Sequence, residues 1–310
     1  MKNKYSLGVL LALATALISG FSNFIMKYSV SVVKNPIVFT TLKNALVAGV
    51  FIGIFLLLRK WREIRNLKLH QWSKLMLIGL IGGSVPFILY FTALSQTSAV
   101  TASFIHKTLF IWVALMAIPF LKEKLSWLQG AALGLLLTGS IFLGGFSGFQ
   151  LNTAELMILI ATILWAIENL IAKHMLQEIS STIIGGFRMI LGSLVLSIVV
   201  WQQGNLSLIS GLNSSQWLWT IIPALLLSCY ILCWYSSLKH LPVTIAASLL
   251  VPAALVTNVL SAIFISHTFP ARELLGAALI IISLGALIYP IWLKWKSLKL
   301  KPANDHNENA

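Results

Sequence analysis

The sequence predicts an all-α integral membrane protein: ten transmembrane helices arranged as two five-helix inverted repeats. Three observations carry this. The 310-residue chain is 58% hydrophobic and only 10% charged, with a mean hydropathy of +0.90, whereas soluble domains carry about 25% charged residues. Its apolar residues gather in runs close to the roughly 20 residues with which a helix crosses a bilayer. Residues of the first half also recur, in order, in the second.

The runs read as ten spans: 7–29, 37–58, 75–95, 99–119, 127–145, 154–174, 182–201, 217–238, 244–265 and 272–292. They lack the short alternating pattern of barrel strands, so helices are predicted. Span 1 follows Lys2 and Lys4 and contains Ala14-Thr-Ala16, as a cleaved signal peptide would. Its apolar run continues past Ala16 to Met26 and its features recur later, so it is read as a retained span. Two polar links are long: 59–73 is basic, and 202–216 is uncharged and rich in Gly, Ser and Asn. Residues 293–310 read as a polar cytoplasmic tail, disordered beyond Lys301.

The net charge of +14 does not indicate a nucleic-acid partner, because the basic residues are not gathered on one polar domain. They orient the chain in the lipid bilayer instead. With the N-terminus inside, sixteen of the 22 Lys and Arg fall in inner links and tails. Lys34 and Arg272 fall outside, and Lys27, Lys43, Lys107 and Arg188 lie within spans. This bias predicts both termini in the cytoplasm, with the chain in the cell's inner (cytoplasmic) membrane. The two cysteines, Cys229 and Cys233, are four apart on one predicted helix face and suit packing better than a disulfide. No metal or cofactor is expected: metal-ligand spacings are missing, and so is the Gly-rich loop with lysine of direct ATP coupling.

The repeat rests on several matches. Gly130-Ala-Ala-Leu133 precedes Gly139 as Gly276-Ala-Ala-Leu279 precedes Gly285. Asn23 and Lys27 match Asn169 and Lys173; Lys43 matches Arg188; Tyr90-Phe-Thr-Ala-Leu94 lines up with Trp234-Tyr-Ser-Ser-Leu238. The halves are 1–145 and 153–292. With five spans each, the second must enter from the opposite membrane face, the arrangement by which transporters place a midplane site between halves.

These features resemble the EamA-type members of the drug/metabolite transporter superfamily. The likeness runs to span 10. It rests on the ten-span plan, Ser22-Asn-Phe24 with Lys27, the basic residue early in spans 2 and 7, Leu121-Lys-Glu123 after span 4, and the two Gly-Ala-Ala-Leu blocks. The resemblance implies alternating access around a central cavity lined by spans 1, 3, 4, 6, 8 and 9, with spans 5 and 10 peripheral. Two departures stand out. Thr108, after His106-Lys107, replaces the family's proline in span 4, whereas span 9 keeps Pro252; and Ser266-His267 stand where span 9 would match Glu123.

Several residues within spans are candidates for the site. A lysine at the centre of a membrane helix costs about 2.5–3.5 kcal/mol on insertion scales and usually faces a wet cavity or a partner. Lys107 is read as a cavity residue that could meet a substrate carboxylate or phosphate, and the adjacent His106 as packed or cavity-lining. Glu168 either pairs with Lys107, carries a proton, or snorkels and ties span 6 down; it is taken as the acid within the spans. Asn23 and Asn169 suit interhelical hydrogen bonds. Tyr90, Trp165, Tyr230 and Trp234 either pack or orient a flat solute. Lys27, Lys43 and Arg188 are expected to snorkel to the interfaces. Gly82-Gly83 with Pro86, Pro223 and Pro252 are expected to interrupt spans 3, 8 and 9.

The expected function is secondary transport, outward, of small organic metabolites such as amino acids or related amphipathic solutes, with possible proton coupling. An integral membrane enzyme acting on lipid is the alternative, as is a passive channel; the deep polar residues are few and scattered for either. The oligomeric state is not legible.

Overall fold

The computed structural model describes residues 2–33, 35–94, 96–97, 99–144, 148 and 152–299. It is all-helical, and ten helical segments are long and apolar enough to cross a membrane: Lys4–Met26, Pro36–Leu57, Leu69–Ala93, Thr101–Leu121, Trp127–Gly144, Thr153–Met175, Ser181–Gln202, Ser214–His240, Val243–Ser266 and Ala271–Pro290. Spans 3 and 8 start earlier than the hydropathy suggests, at Leu69 and Ser214. The basic link holds only the short helix Trp61–Arg65 before span 3. The last helix runs on to Lys299, so the first part of the expected tail is helical; 300–310 lie outside the described residues.

Asparagines start spans 2, 6 and 8. Asn35 Oδ1 accepts from the amides of Ile37 and Val38 at 3.1 and 3.0 Å, with Pro36 at the first helical position. Asn152 accepts from Glu155 at 2.9 Å, and Asn213 forms a reciprocal capping box with Gln216. Each side chain satisfies amides that the first turn leaves without partners. In the uncharged 202–216 link, Asn213 serves in this way.

Packing follows the exchange of halves. Span 1 packs on span 8 as span 6 packs on span 3; span 1 meets span 9 as span 6 meets span 4; span 3 lies on span 7 as span 2 lies on span 8. Spans 2 and 7 pair with each other, and so do spans 5 and 10. Small residues permit the closest crossings, as is usual in membranes. Span 3 touches span 7 backbone to backbone: a Cβ on Gly83 would stand 2.2 Å from the Arg188 carbonyl oxygen, and one on Gly192 2.4 Å from that of Gly83. Spans 5 and 10 cross at Gly139 and Gly276, and Ser283 Oγ donates to the Ala132 carbonyl at 2.6 Å.

Three spans are broken. Span 3 consists of Leu69–Gly83 and Val85–Leu94, parted at Ser84. Span 4 consists of Ala99–Lys107 and Leu109–Leu121, parted at Thr108. Thr108 Oγ1 donates back to the Ile105 carbonyl at 2.6 Å and accepts from Trp112 Nε1 at 3.1 Å. A hydroxyl competing for backbone thus stands where the matched span 9 is broken between Ser248 and Ala253, at Pro252. Span 9 ends in a π-helical turn, Ala262–Ser266. Pro223 does not interrupt span 8, contrary to expectation: Ser214–His240 is one continuous helix around it.

Candidate functional site

The break in span 3 creates the polar centre of the bundle. Pro86 has no N–H to give the carbonyl four residues back, which is that of Gly82. Two side chains of the second half supply donors instead. Trp165 Nε1 in span 6 donates to the Gly82 oxygen at 3.0 Å, and Arg188 Nη2 in span 7 at 3.1 Å. Glu168 lies one helical turn beyond Trp165 and accepts from the Tyr235 hydroxyl of span 8. Arg188 and Glu168 face each other across Gly82, where a Cβ would come within 2.5 Å of Glu168 Cγ and 3.2 Å of Arg188 Nε. Glu168 Oε2 and Arg188 Nε are buried without a hydrogen-bond partner. In span 8, Trp234 Nε1 donates to Asn169 Oδ1 at 3.1 Å, and Tyr230 stacks on Trp234 with ring centres 6.3 Å apart.

Next to this polar knot lies an aromatic cluster. His106 meets Trp165 at 4.7 Å between ring centres, Tyr90 meets His106 at 5.7 Å, and Phe87 meets Trp165 at 5.4 Å. Lys43 Nζ lies 5.7 Å from the centre of the Phe87 ring and 5.8 Å from that of Phe39, distances at which a cation is attracted to a ring face. His106 and Lys107 are half-buried, with Pro252 half-buried at the break of span 9.

Two expectations are corrected, and one of the alternatives left open for Glu168 is not realised. Lys43 and Arg188 do not snorkel: they are only 3% and 8% exposed, because side chains of neighbouring spans and the freed Gly82 carbonyl hold them inside. Lys107 and Glu168 do not pair; among the described residues the ion pair is Lys60–Glu63, at 2.9 Å. By helical rise, Lys107 lies about 10 Å from the outer end of span 4 and Glu168 about 10 Å from the inner end of span 6, too far apart in depth. Glu168 is not the sole buried acid of the spans either, since Glu155, in the first turn of span 6, is 5% exposed. Asn23 is exposed on span 1, unlike its buried match Asn169, and the side chain of Lys27 lies outside the described residues. Tyr235 and Phe87 were missed. Tyr235 was in view within the block matched to Tyr90-Phe-Thr-Ala-Leu94, where a phenol takes the place of Phe91.

The halves are tied together at the face that carries the N-terminus. Lys122 adopts a left-handed conformation after span 4, and the carboxylate of Glu123 then accepts from the amides of Val243 and Thr244, opening span 9. Lys173 Nζ donates to the carbonyls of Leu238 and Leu241, each at 2.6 Å, closing span 8. These are the helix-end groups that otherwise lack partners. In the basic link, Glu63 accepts from the Ser180 amide at 2.8 Å and from Lys60. Burial pushes the Glu63 carboxyl up, but those hydrogen bonds outweigh it and hold it below its ordinary range. Two cavities lie away from the aromatic cluster. One of about 440 Å³ is lined by Val33, Asn35 and the 207–216 link, and one of about 520 Å³ by spans 3, 4 and 6 near Lys74 and His174.

Solved structures include one with the same fold: TM-score 0.72 over 90% of this chain and 97% of the other, at 16% identity. An uncharacterized transporter of Synechocystis sp. is 24% identical over 275 residues, 82% of this chain and 76% of that protein. An uncharacterized transporter of Methanothermobacter thermautotrophicus is 24% identical over 152 residues, 47% of this chain; the match spans 44% of that protein's length. The EamA-like transporter family model matches twice, over residues 6–145 and 152–289, each match taking in five spans. A multi-pass membrane chain built of two such halves is a transporter and not an enzyme, and it belongs to the EamA-like transporter family.

Proposed function

We propose that this transporter moves small organic metabolites, amino acids or related amphipathic solutes, outward by alternating access, with the solute between the two repeats. The observation that carries this reading is the junction at Gly82. There a broken helix of the first half meets Trp165, Arg188 and Glu168 of the second, beside the aromatic cluster of Tyr90, His106 and Trp165. Discontinuous helices at a repeat interface are where such transporters hold their cargo. Tyr90, Trp165, Tyr230 and Trp234 offer ring faces to an apolar body. Lys107 has no hydrogen-bond or ion-pair partner among the described residues, and its three donors suit a carboxylate or phosphate. A proton-coupled mode runs through Glu168, whose second oxygen is unpartnered. The chain sits in the inner membrane with both termini cytoplasmic, as the charge bias indicates. The test is exchange of a labelled metabolite mixture by reconstituted protein, with and without an imposed proton gradient. Accumulation of no solute above protein-free vesicles rejects the reading.

A further inference from the structure

Lys43 is the least expected charge in the bundle. It is 3% exposed, yet the groups around its ammonium are weak partners: Met26 Sδ of span 1 at 3.9 Å and the ring faces of Phe39 and Phe87. Among the described residues it has no carboxylate partner. On the same stretch of span 2, Thr40 Oγ1 and both amide atoms of Asn44 are buried with no hydrogen-bond partner, at 1% and 0% exposure. Buried polar groups are nearly always bonded, so two unpartnered side chains flanking a weakly held ammonium within about one helical turn call for a ligand. A desolvated ammonium calls for a negative one.

The repeat says what is missing. Lys43 matches Arg188, and Asn23 matches Asn169, so Ser22 takes the place of Glu168. Phe91 likewise takes the place of Tyr235. In the second half a carboxylate, itself bonded to a phenol of the same repeat, therefore stands near the buried cation at Gly82, without a close ion pair. The first half offers a serine and a phenylalanine at the matched positions. Phe87 links Lys43 to Trp165 and through it to His106. Lys43 and Lys107 also lie at similar depths, each about 10 Å from the outer end of its span by helical rise.

We propose that Lys43, with Asn44 and Thr40, binds the anionic group of the transported solute, the cargo bringing to the first half a carboxylate like the one that Glu168 places near Arg188 in the second. This rests on the transporter reading above and names its cargo class: an organic monoanion whose apolar body lies along Phe87 and Trp165. Binding stands in two contacts, the ammonium on the anion and ring faces on the body. A free inorganic anion would use only the first.

The test titrates the full-length protein in nanodiscs with 3-phenylpropionate, its neutral counterpart 3-phenylpropanol, and acetate. The acid is expected to bind at least about tenfold more tightly than either, a difference of about 1.4 kcal/mol. Lys43→Met should abolish the preference for acid over alcohol and leave the alcohol's affinity unchanged, while Lys43→Arg retains part of it. Ser22→Glu keeps the lysine but gives it an internal carboxylate, and should abolish the preference too; this second variant stands if Lys43→Met does not fold. A preference that survives both Lys43→Met and Ser22→Glu overturns the proposal, whatever Lys107→Met does. Acid and alcohol bound equally by the unaltered protein overturn it as well, and acetate bound as tightly as phenylpropionate overturns the assignment to a solute. Metabolite exchange is measured in parallel. Its absence with the acid preference intact rejects the transport reading and leaves the Lys43 site standing.

Discussion

Arg188 donates to the carbonyl oxygen of Gly82, the one that Pro86 leaves without a backbone donor. A proline in the first repeat and an arginine in the second are thereby one device. Glycine at position 82 lets Glu168 and Arg188 both approach the same face of span 3. Removing one charge from this buried arrangement leaves the other uncompensated. Arg188→Met should therefore destabilise the protein by about 3 kcal/mol. Arg188→Met with Glu168→Gln should cost less than the two single changes added together, and thermal unfolding of both single variants and the double in one detergent measures the coupling. A loss in the double variant equal to the sum of the Arg188→Met and Glu168→Gln single losses would show the two charges to be independent.

Orientation is tested by reporter fusions. A fusion at Asn304 should read cytoplasmic and one at Gly211 external, as expected from sixteen basic residues on one face and two on the other. Both reading on the same side would break the ten-span plan.

The fold was legible because membrane helices announce themselves by length and apolarity, and because the halves share Gly-Ala-Ala-Leu blocks, asparagines and basic residues. The partners of the buried charges were not. Position along a span gives depth, so Lys43 and Arg188, two turns in, looked able to reach an interface. What keeps them inside is lateral: Phe87 and Met26 beside one, and the freed Gly82 carbonyl beside the other. Pro86 was visible as a break, but no rule of sequence says which side chain answers the carbonyl it frees. Thr108 shows the reverse: span 4 breaks at the family's proline position without a proline, through a hydroxyl bonded to its own backbone.

The link between spans 2 and 3 should respond to acid. The Glu63 carboxyl is held below its ordinary range, so its contribution is present above its unfolded pKa and is lost as pH falls through its folded one. That window lies below about pH 4. Protection of the Ser180 amide from hydrogen exchange, corrected for intrinsic rates, should fall modestly there. Glu63 is largely solvated and screened, so a loss under about tenfold is expected. Glu63→Gln should flatten the dependence; an unchanged profile would exclude Glu63 as its source.

Glu168 accepts from Tyr235 through one oxygen and leaves the other unpartnered, a geometry that can take a proton. If coupling runs through it, Glu168→Gln should leave solute exchange intact and remove accumulation driven by a pH gradient. Gradient-driven uptake surviving in the variant assigns Glu168 to a structural role alone, through its bond with Tyr235 beside Arg188.

Lys107 offers the sharpest contrast between binding and packing. It sits at the break of span 4, beside the His106–Trp165 contact, and has no ion pair among the described residues. If it meets the solute's anionic group, Lys107→Met should keep expression and fold but weaken binding of an anionic or zwitterionic solute by about tenfold or more. Lys107→Arg keeps the charge but presents a planar fork in place of a compact ammonium, so it should transport poorly. A packing role predicts the opposite: Lys107→Met neutral or stabilising, because a costly charge has gone, with transport unchanged. Glu168→Gln added to Lys107→Met distinguishes the last case. Restored transport in that double variant would show that the two residues compensate each other's charge in another access state, since they are unpaired in this one. No restoration, with binding still weak, leaves Lys107 acting on the solute itself.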